Sequence, residues 1–261
     1  MQQIGRVTSK VICAAGVMAT GLLTAGPAGA QMMMVDAWED TGYFSINYGY
    51  QVGDRTFQES LTATVYEEEA TYSVDHASSG GGHFDIGGGL RVWRNLAAGV
   101  AVTSHSTSAG AGITGVIPHP LFFNRPRTGS SALVDLEYKE LGVHAQAAWV
   151  MPLNEKISVT VAAGPSFFNV TQSLITNVAL ANEIGAPFDT VALGTAATTS
   201  VSKTGVGVNA GFDITYLVTE RLGGGLFVRW AGGSVDLPAA GGTQSIDVGG
   251  LQAGVGLRAR F

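Results

Sequence analysis

Cysteine, long apolar runs and basic charge are all scarce in this sequence, and each shortage excludes a class of protein. The single cysteine, Cys13, lies near the N-terminus, so the rest of the chain has no thiol for a disulfide, a metal site or a nucleophile. Beyond residue 30 there is no apolar run of about twenty residues, which excludes membrane-spanning helices there. Acidic residues outnumber basic ones by 20 to 14, which disfavours nucleic acid as a partner.

The first 30 residues have the layout of a secretory signal peptide. Arg6 and Lys10 form a positive start, residues 11–23 are apolar, and an A-x-A motif ends at Ala30. We predict cleavage between Ala30 and Gln31; the alternative is an uncleaved anchor, for which about a dozen apolar residues are too few. Three parts of the chain follow: 1–30 as signal peptide, 31–41 as a short periplasmic segment and 42–261 as the folded domain. Without the two basic residues of the signal peptide, 12 of the 14 remain against 20 acidic ones.

Strict alternation of apolar and polar residues marks much of the remaining chain. Apolar residues take every second position from Tyr43 to Val52, in 206–217 and from Leu251 to Phe261. A period of two indicates β-strands with one apolar face. The other face is rich in glycine, alanine and serine, whereas a water-facing strand surface would carry many lysines and glutamates. We therefore predict a transmembrane barrel with the apolar face toward lipid; a soluble sandwich with that face buried is the alternative.

The spacing of the turns predicts eight strands. Short polar connections at 94–95, 154–156 and 219–221 alternate with longer ones at 53–80, 110–130, 175–198 and 237–243. The predicted strands are 42–52, 81–93, 96–108, 131–152, 156–173, 199–218, 222–235 and 244–261. The expected fold is all-β, a closed antiparallel up-and-down barrel whose sheet continues above the membrane. Because such barrels place their short turns in the periplasm, both chain ends are expected there.

Two irregularities are expected within these strands. In the fourth, the apolar positions change from even (Leu136, Tyr138) to odd below them, which predicts a bulge near Lys139 and Glu140. Pro165 has no N–H to donate, so it is expected at a second bulge or at the rim of the barrel.

These features resemble the eight-stranded outer-membrane barrel superfamily of OmpA, OmpX and opacity-type proteins. The resemblance covers roughly residues 41–261, and its most specific element is the final alternating strand from Leu251 to the terminal Phe261. It implies an integral outer-membrane location and recognition of Phe261 by the barrel-assembly machinery. It implies no particular activity, because the superfamily contains anchors, adhesins, small channels and lipid enzymes.

Aromatic and charged residues within the strands have two expected places. Five aromatic residues are expected in the girdles at the two membrane interfaces: Tyr48, Tyr50, Trp149, Tyr216 and Trp230. Five charged residues are expected inside the barrel, either as a network of ion pairs or as a conduction pathway: Asp85, Arg91, Asp213, Arg229 and Arg258. A barrel of eight strands is just wide enough for its own side chains, which favours pairing of Arg91 or Arg229 with Asp85 or Asp213.

No catalytic, cofactor or metal site is expected. The candidates for such a site are Asp75, His76, Ser78, Ser79, His83, His105 and His119. Their spacing matches no known nucleophile or metal motif, and histidines in external loops are expected to be solvated. We predict that the chain is not an enzyme.

The external loop at 115–127 combines apolar residues, three prolines and two arginines. Its expected contact residues are Phe122, Phe123, Arg125 and Arg127. It could cover the barrel mouth, contact lipopolysaccharide phosphates through its arginines or bind an external partner; the alternative is a loop that buries its own phenylalanines. The favoured function is a monomeric structural or surface-interaction barrel in contact with outer-membrane lipid. A small pore or carrier for small or hydrophobic solutes is the alternative.

Overall fold

The computed structural model describes residues 38–261, apart from 54, 183–184 and 240–241. The predicted signal peptide and its cleavage site at Ala30 and Gln31 lie outside these residues. The described chain forms one antiparallel sheet. Its strands are β1 (Gly42–Val52), β2 (Arg55–Val65), β3 (Glu68–Ser78), β4 (Gly81–Trp93), β5 (Leu96–Ile117), β6 (Arg127–Pro152), β7 (Ile157–Asn182), β8 (Ala192–Leu217), β9 (Leu222–Ala239) and β10 (Gly242–Arg260). In this part of the chain, no helix is long and apolar enough to cross a membrane.

Eight of the strands close into a ring. β1 pairs with β10 on one side and β4 on the other, and the ladder continues through β5, β6, β7, β8 and β9 back to β10. β2 and β3 form a hairpin that prolongs β1 and β4, since β3 pairs with the second half of β5. The predicted all-β fold, a closed antiparallel barrel of eight strands, is therefore confirmed.

The short turns lie at one end of the barrel, together with the start of β1 and the end of β10. We call this the lower end. The N–H of Gly42 donates to the carbonyl of Phe261 over 2.9 Å, and that of Arg260 donates to Arg221 over 2.8 Å. The turns occupy 94–95, 153–156 and 218–221, close to their predicted positions.

At the upper end the strands are longer than predicted. β2 and β3 occupy most of 53–80, and the extension of β5 and β6 shortens the second loop to 118–126. β7 and β8 likewise take up much of 175–198. The predicted boundaries were too short because the upper strands bury an apolar core of their own.

A belt of exposed apolar side chains surrounds the lower part of the ring. Each of the eight strands contributes an example with 36% to 58% of its surface exposed: Ile46, Ile86, Val102, Val143, Val161, Phe212, Val228 and Val255. A soluble sandwich would bury these side chains, so that alternative is wrong. A continuous apolar belt on a closed barrel is stable against lipid, and the chain is an integral barrel of the outer-membrane type.

The apolar face of the sheet changes sides above this belt, and β5 shows the change within one strand. In its first half Val100 and Val102 point outward and are exposed. In its second half the outward positions are Ser106 and Ser108, whereas Ile113 points inward and is buried. The inward and outward positions alternate without a break, so only the surroundings change, from lipid below to water above.

The upper parts of the strands therefore form a head with its own interior. We define the head as β2, β3, the second half of β5 and the adjoining upper parts of β6 to β10. Its two apolar clusters contain the following buried residues: Leu61, Ala70, Tyr72, Val74, Ala109, Ala111, Ile113, Ile117, Leu136, Ile175, Val178, Val191 and Leu193 in one, and Tyr138, Phe168, Val170, Ala231, Val235, Leu237, Ile246 and Val248 in the other.

The bulge predicted in β6 lies elsewhere. Leu136 and Tyr138 point inward and are buried, and pairing with β5 is regular at Lys139 and Glu140. The apolar positions change from even to odd because the apolar side chains point inward in the head and outward in the belt, and not because of a bulge. A register shift does occur a few residues earlier, where Asp135 has a φ of 63°.

Pro165 marks neither a bulge nor the rim. The ladder between β6 and β7 keeps one register on both sides of Pro165 and lacks only the neighbouring pairs. The side-chain amide of Asn209 donates to the carbonyls of Gly164 and Pro165 over 3.0 and 3.2 Å. The Asn209 side chain thus provides hydrogen bonds where ladder pairs are missing. The prediction of a bulge or of the rim at Pro165 was wrong.

Candidate functional site in the lumen and at the outer loop

The lower end of the lumen is filled by Trp38, a residue that the sequence analysis did not single out. Its side chain is buried against Ala97, Ala148 and Val150, and its indole N–H donates to Asp40 over 2.9 Å. Trp38 lies in the predicted periplasmic segment, where the alternation of the strands has not begun, so no pattern pointed to it.

Above Trp38, an ion pair joins β8 and β10. Nε of Arg258 lies 3.2 and 3.1 Å from the two carboxylate oxygens of Asp213, and Thr215 donates to the same carboxylate over 3.0 Å. Arg258 also donates to Asn47 on β1. A cavity of about 90 Å³ lies beside this pair, which is room for a few water molecules.

A second ion pair crosses the lumen at mid-height. Nη2 of Arg229 lies 2.6 Å from a carboxylate oxygen of Asp85, and both side chains are buried. Asn47 donates to the other oxygen of Asp85 over 2.6 Å, and Nε of Arg229 donates to Gln252 over 2.9 Å. Each charge is therefore paired and hydrogen-bonded, as a buried charge requires.

Of the five residues predicted for this network, Arg91 lies apart. Its side chain is exposed at the lower end and donates to the backbone carbonyl of Trp38. The prediction was wrong for Arg91 because the buried inward positions of β4 end at Gly89, and the last residues of the strand, although still paired with β5, are exposed at the lower end.

Glu140 is the centre of a third group at the top of the belt. Its carboxylate accepts hydrogen bonds from the Tyr138 hydroxyl over 2.7 Å and the backbone N–H of Gly249 over 3.1 Å. It also accepts from Gln51 and Arg55, each over 3.2 Å. Burial, with the adjacent Glu140 carboxylate, raises the pKa of Tyr138, which keeps the phenol protonated as a donor.

The histidines lie inside the protein, contrary to the prediction of solvated loops. Four that point into the barrel or head, His76, His83, His105 and His144, are at most 2% exposed, and so is His119 below the outer loop. His144 contacts Ser166 over 2.8 Å and Thr103 over 3.0 Å. Thr103 lies at Nε2 of the ring and Ser166 at Nδ1, so a hydroxyl occupies the place that the carboxylate has in a Ser-His-Asp triad.

The predicted girdle residues all face outward. The exposed fractions of Tyr48, Tyr50, Trp149, Tyr216 and Trp230 lie between 44% and 68%. Trp149 and Tyr216 lie near the lower ends of their strands, and the other three lie farther up. Phe261 is also exposed, next to the first residues of β1.

Arg125 in the outer loop at 118–126 and Arg127 at the start of β6 have different surroundings. Arg127 is buried and donates to the carbonyls of Phe188 and Pro118, each over 2.9 Å. Arg125 is exposed, lies 3.1 Å from the exposed Asp189 and covers one face of Phe122. Arg127 was predicted as an external contact, which is wrong: it holds the loop against its neighbour.

The phenylalanines of this loop are not buried. Phe122 is 52% exposed and Phe123 73%, so the alternative of a self-packed apolar loop is wrong. The backbone N–H of Asn124 donates to Glu68 over 3.0 Å, and His119 contacts the carbonyl of Pro187 over 2.9 Å. We call the exposed side chains of Leu121, Phe122 and Phe123 the apolar knob.

Comparison with known proteins gives no match to a protein-family model or to a curated protein sequence. Several solved structures are similar in fold. OprG from Pseudomonas aeruginosa has 11% identity and a TM-score of 0.39, with 85% of this chain and 97% of that chain covered. Neisserial surface protein A has 12% identity and a TM-score of 0.38, with 84% and 97% covered. This likeness concerns the barrel fold alone.

A third similar structure corrects one prediction. OmpT from Escherichia coli is an outer membrane protease with 9% identity and a TM-score of 0.40; 88% of this chain and 99% of that chain are covered. The sequence analysis excluded an enzyme. That exclusion does not hold, because a protease is among the barrels that this chain resembles.

Proposed function

We propose that the protein anchors a rigid interaction surface in the outer membrane. The belt holds the barrel in lipid, the crowded lumen stabilises it, and the head presents the apolar knob to an external partner. Both chain ends then lie in the periplasm. The observation that carries the proposal is the contact between Glu140 and Gly249, because it joins opposite walls of the barrel.

The lumen contacts support an anchor more than the alternative of a small pore or carrier. A pore needs a continuous water-filled path, but side chains from different strands meet at three heights: around Trp38, at the pair of Arg229 with Asp85, and around Glu140. Arg229 and Asp85 lie three strands apart in the ring, so their pair crosses the lumen. Such interiors are packed cores.

The head supports a role in interaction. Loops placed on a rigid scaffold are common binding surfaces, and the loop of the apolar knob is fixed by contacts of Arg127, His119 and Asn124 with neighbouring segments. Exposed aromatic side chains next to an arginine are typical anchors of protein interfaces. We propose a protein partner for the knob, and contact of Arg125 with lipopolysaccharide phosphates at its side.

Two further parts of the proposal concern assembly. The exposed Phe261 ends the strand that closes the barrel against β1, which supports recognition of this residue by the barrel-assembly machinery. The described chain closes its ring without a second copy, and this supports a monomer.

Conductance and labelling test the proposal together. Purified protein in a planar bilayer should give no stable single-channel steps; reproducible steps would instead establish the pore. Because Cys13 is the only cysteine, single cysteines can report orientation. Phe123→Cys should react with a membrane-impermeant maleimide on intact cells, and Glu155→Cys in a lower turn only after permeabilisation. The reverse pattern would contradict the orientation.

A further inference from the structure

The wall of the barrel divides into a fork where β1 ends. Pairing between β1 and β10 runs up to Val52 and Leu251. Above that pair, β2 pairs with β3 and the upper part of β10 pairs with β9. Within the described residues, no ladder joins β2 to β10. Gly249 and Gly250 have φ values of 87° and 143°. Such angles suit glycine and turn β10 away from β2.

The fork is braced by side chains that replace the lost backbone partners. The N–H of Gly249 donates to Glu140 over 3.1 Å. Its carbonyl accepts from Gln51 over 3.0 Å and from Arg55. Buried backbone groups need hydrogen-bond partners. Because side chains provide them at Gly249, the separation of β2 from β10 leaves this residue's backbone groups satisfied. On the inner face of β10, Ile246 and Val248 are buried in the apolar core of the head.

A cavity of about 390 Å³ lies in this fork, which is at the small end of the range for small-molecule sites. His76 and Ser78 line it from β3, and Ser245 and Asp247 from β10. Nδ1 of His76 and the hydroxyl of Ser78 are buried, and neither has a hydrogen-bond partner among the described residues. His76 is only 2% exposed. Buried polar atoms without partners are costly, so these two atoms point to a ligand.

The hydrogen-bond pattern defines what the ligand must offer. Nε2 of His76 lies 3.2 Å from a carboxylate oxygen of Glu59. In the tautomer that donates from Nε2 to this carboxylate, Nδ1 is an acceptor. The ring is stacked on Phe57, with 4.2 Å between centroids, which fixes its direction. The ligand must therefore donate to Nδ1, and a group that also accepts would satisfy the Ser78 hydroxyl.

Deep in the fork, the charged side chains already have hydrogen-bond partners: Arg55 lies 3.2 Å from Glu140, and Glu59 lies 3.2 Å from His76. Asp247 lines the fork at its exposed rim, where its carboxylate can accept from a hydroxyl group, so a neutral ligand rich in hydroxyls fits this lining. A hydroxyl group both donates and accepts, and the remaining lining includes the side chains of Thr56, Ser245 and Gln244.

We propose that the fork binds a neutral polyhydroxyl ligand, a saccharide of one or two rings. Val52 and Leu251 below the fork are exposed members of the apolar belt, so the fork opens where the belt ends and lipid headgroups lie. The sugar could belong to an outer-leaflet glycolipid or be free in solution. This inference rests on the proposed orientation, with the head outside the cell.

Binding to the full barrel in lipid nanodiscs tests the proposal. The probes are glucose, galactose, mannose and N-acetylglucosamine, followed by saturation-transfer NMR, and in a second arm a lipooligosaccharide incorporated into the nanodisc. At least one probe should bind, and Ser78→Val should weaken it at least tenfold by filling the cavity. Ser60→Val, at an exposed position of β2, is the matched control. Binding in the first arm indicates a free sugar, and binding in the second alone a glycolipid headgroup.

Ser245→Trp provides a second test at the exposed rim, where a large side chain should block the fork without disturbing the core. The heat-modifiable gel shift of each variant checks that it has folded. The proposal is overturned if no probe binds in either arm, or if a folded Ser245→Trp variant binds as tightly as the original chain. Binding of a blocked tripeptide in place of any sugar would also overturn it. None of these results changes bilayer conductance or the labelling pattern, which test the proposed function separately.

Discussion

The carboxylate of Glu140 on β6 accepts a hydrogen bond from the backbone N–H of Gly249 on β10, over 3.1 Å. These two strands are diametrically opposite in the ring of eight. One glutamate side chain thus spans the lumen at the level where the wall forks, and it connects the crowded interior below with the head above. The contact makes the interior of the barrel part of its structural core.

Breaking the pair of Arg229 and Asp85 should lower the free energy of unfolding of the barrel more than removing a surface charge. Arg229→Met leaves the Asp85 carboxylate buried without its cation, and breaking such a pair costs about 3–5 kcal/mol. Replacing both residues, by Arg229→Met with Asp85→Leu, should cost less than the sum of the single changes. The measurement is urea-induced unfolding in lipid vesicles, followed by tryptophan fluorescence.

Arg221→Met, in an exposed lower turn, is the control for this experiment and should change the free energy of unfolding by less than about 0.5 kcal/mol. Additive single changes, or an Arg229 variant as stable as the control, would show that the pair is not coupled.

The change of the apolar face along β5 predicts that the cost of a substitution depends on its height and on the face of the strand, as three positions show. Val100→Arg places a charge against lipid and should cost up to about 2–4 kcal/mol. Ser108→Arg, farther up the same face, meets water and should change stability by less than about 0.5 kcal/mol. Ile113→Ala, on the inner face of the head, should cost about 2–5 kcal/mol. Equal costs for the two arginines in the same unfolding assay would contradict the assigned upper limit of the membrane.

Much of the barrel below the head could be predicted from the sequence. The alternation in β1 and β10 indicates which side chains face lipid, because only one of the two faces is apolar. The short turns give the number of strands. The same alternation places Asp85 and Arg229 on the inner face, where their opposite charges favour a pair.

The head and the third lumen group could not be predicted in the same way. A period of two shows that a strand has an apolar face but not whether that face meets lipid or a core, so the inward position of Tyr138 was misassigned to a bulge. Glu140 and Gly249 are 109 residues apart, and Arg55 lies in a segment that lacks an obvious strand pattern. Their meeting depends on the closure of the ring.

Trp38 should stabilise the barrel from the lower end. Trp38→Ala removes a side chain that is 2% exposed, and truncation of a buried aromatic residue costs about 3–5 kcal/mol. Trp93→Ala is the matched control, since Trp93 is 59% exposed at the end of β4. The free energy of unfolding in vesicles should fall substantially more for Trp38. Similar losses for both variants would indicate that Trp38 does not fill the lumen in the membrane.

The two arginines of the outer loop should differ in their effect on its rigidity. Arg127→Leu removes the donors to the carbonyls of Phe188 and Pro118 and should raise the exchange rate of the Asn124 amide at least tenfold, because that amide is protected only while the loop stays in place against Glu68. Arg125→Leu breaks an exposed ion pair, which is worth about 0–1 kcal/mol, and should leave the exchange rate nearly unchanged. Hydrogen–deuterium exchange in nanodiscs measures both. If Arg125→Leu loosened the loop as much as Arg127→Leu, the loop would depend on its surface charges, and the apolar knob would lose the rigid support on which its proposed role as a binding surface depends.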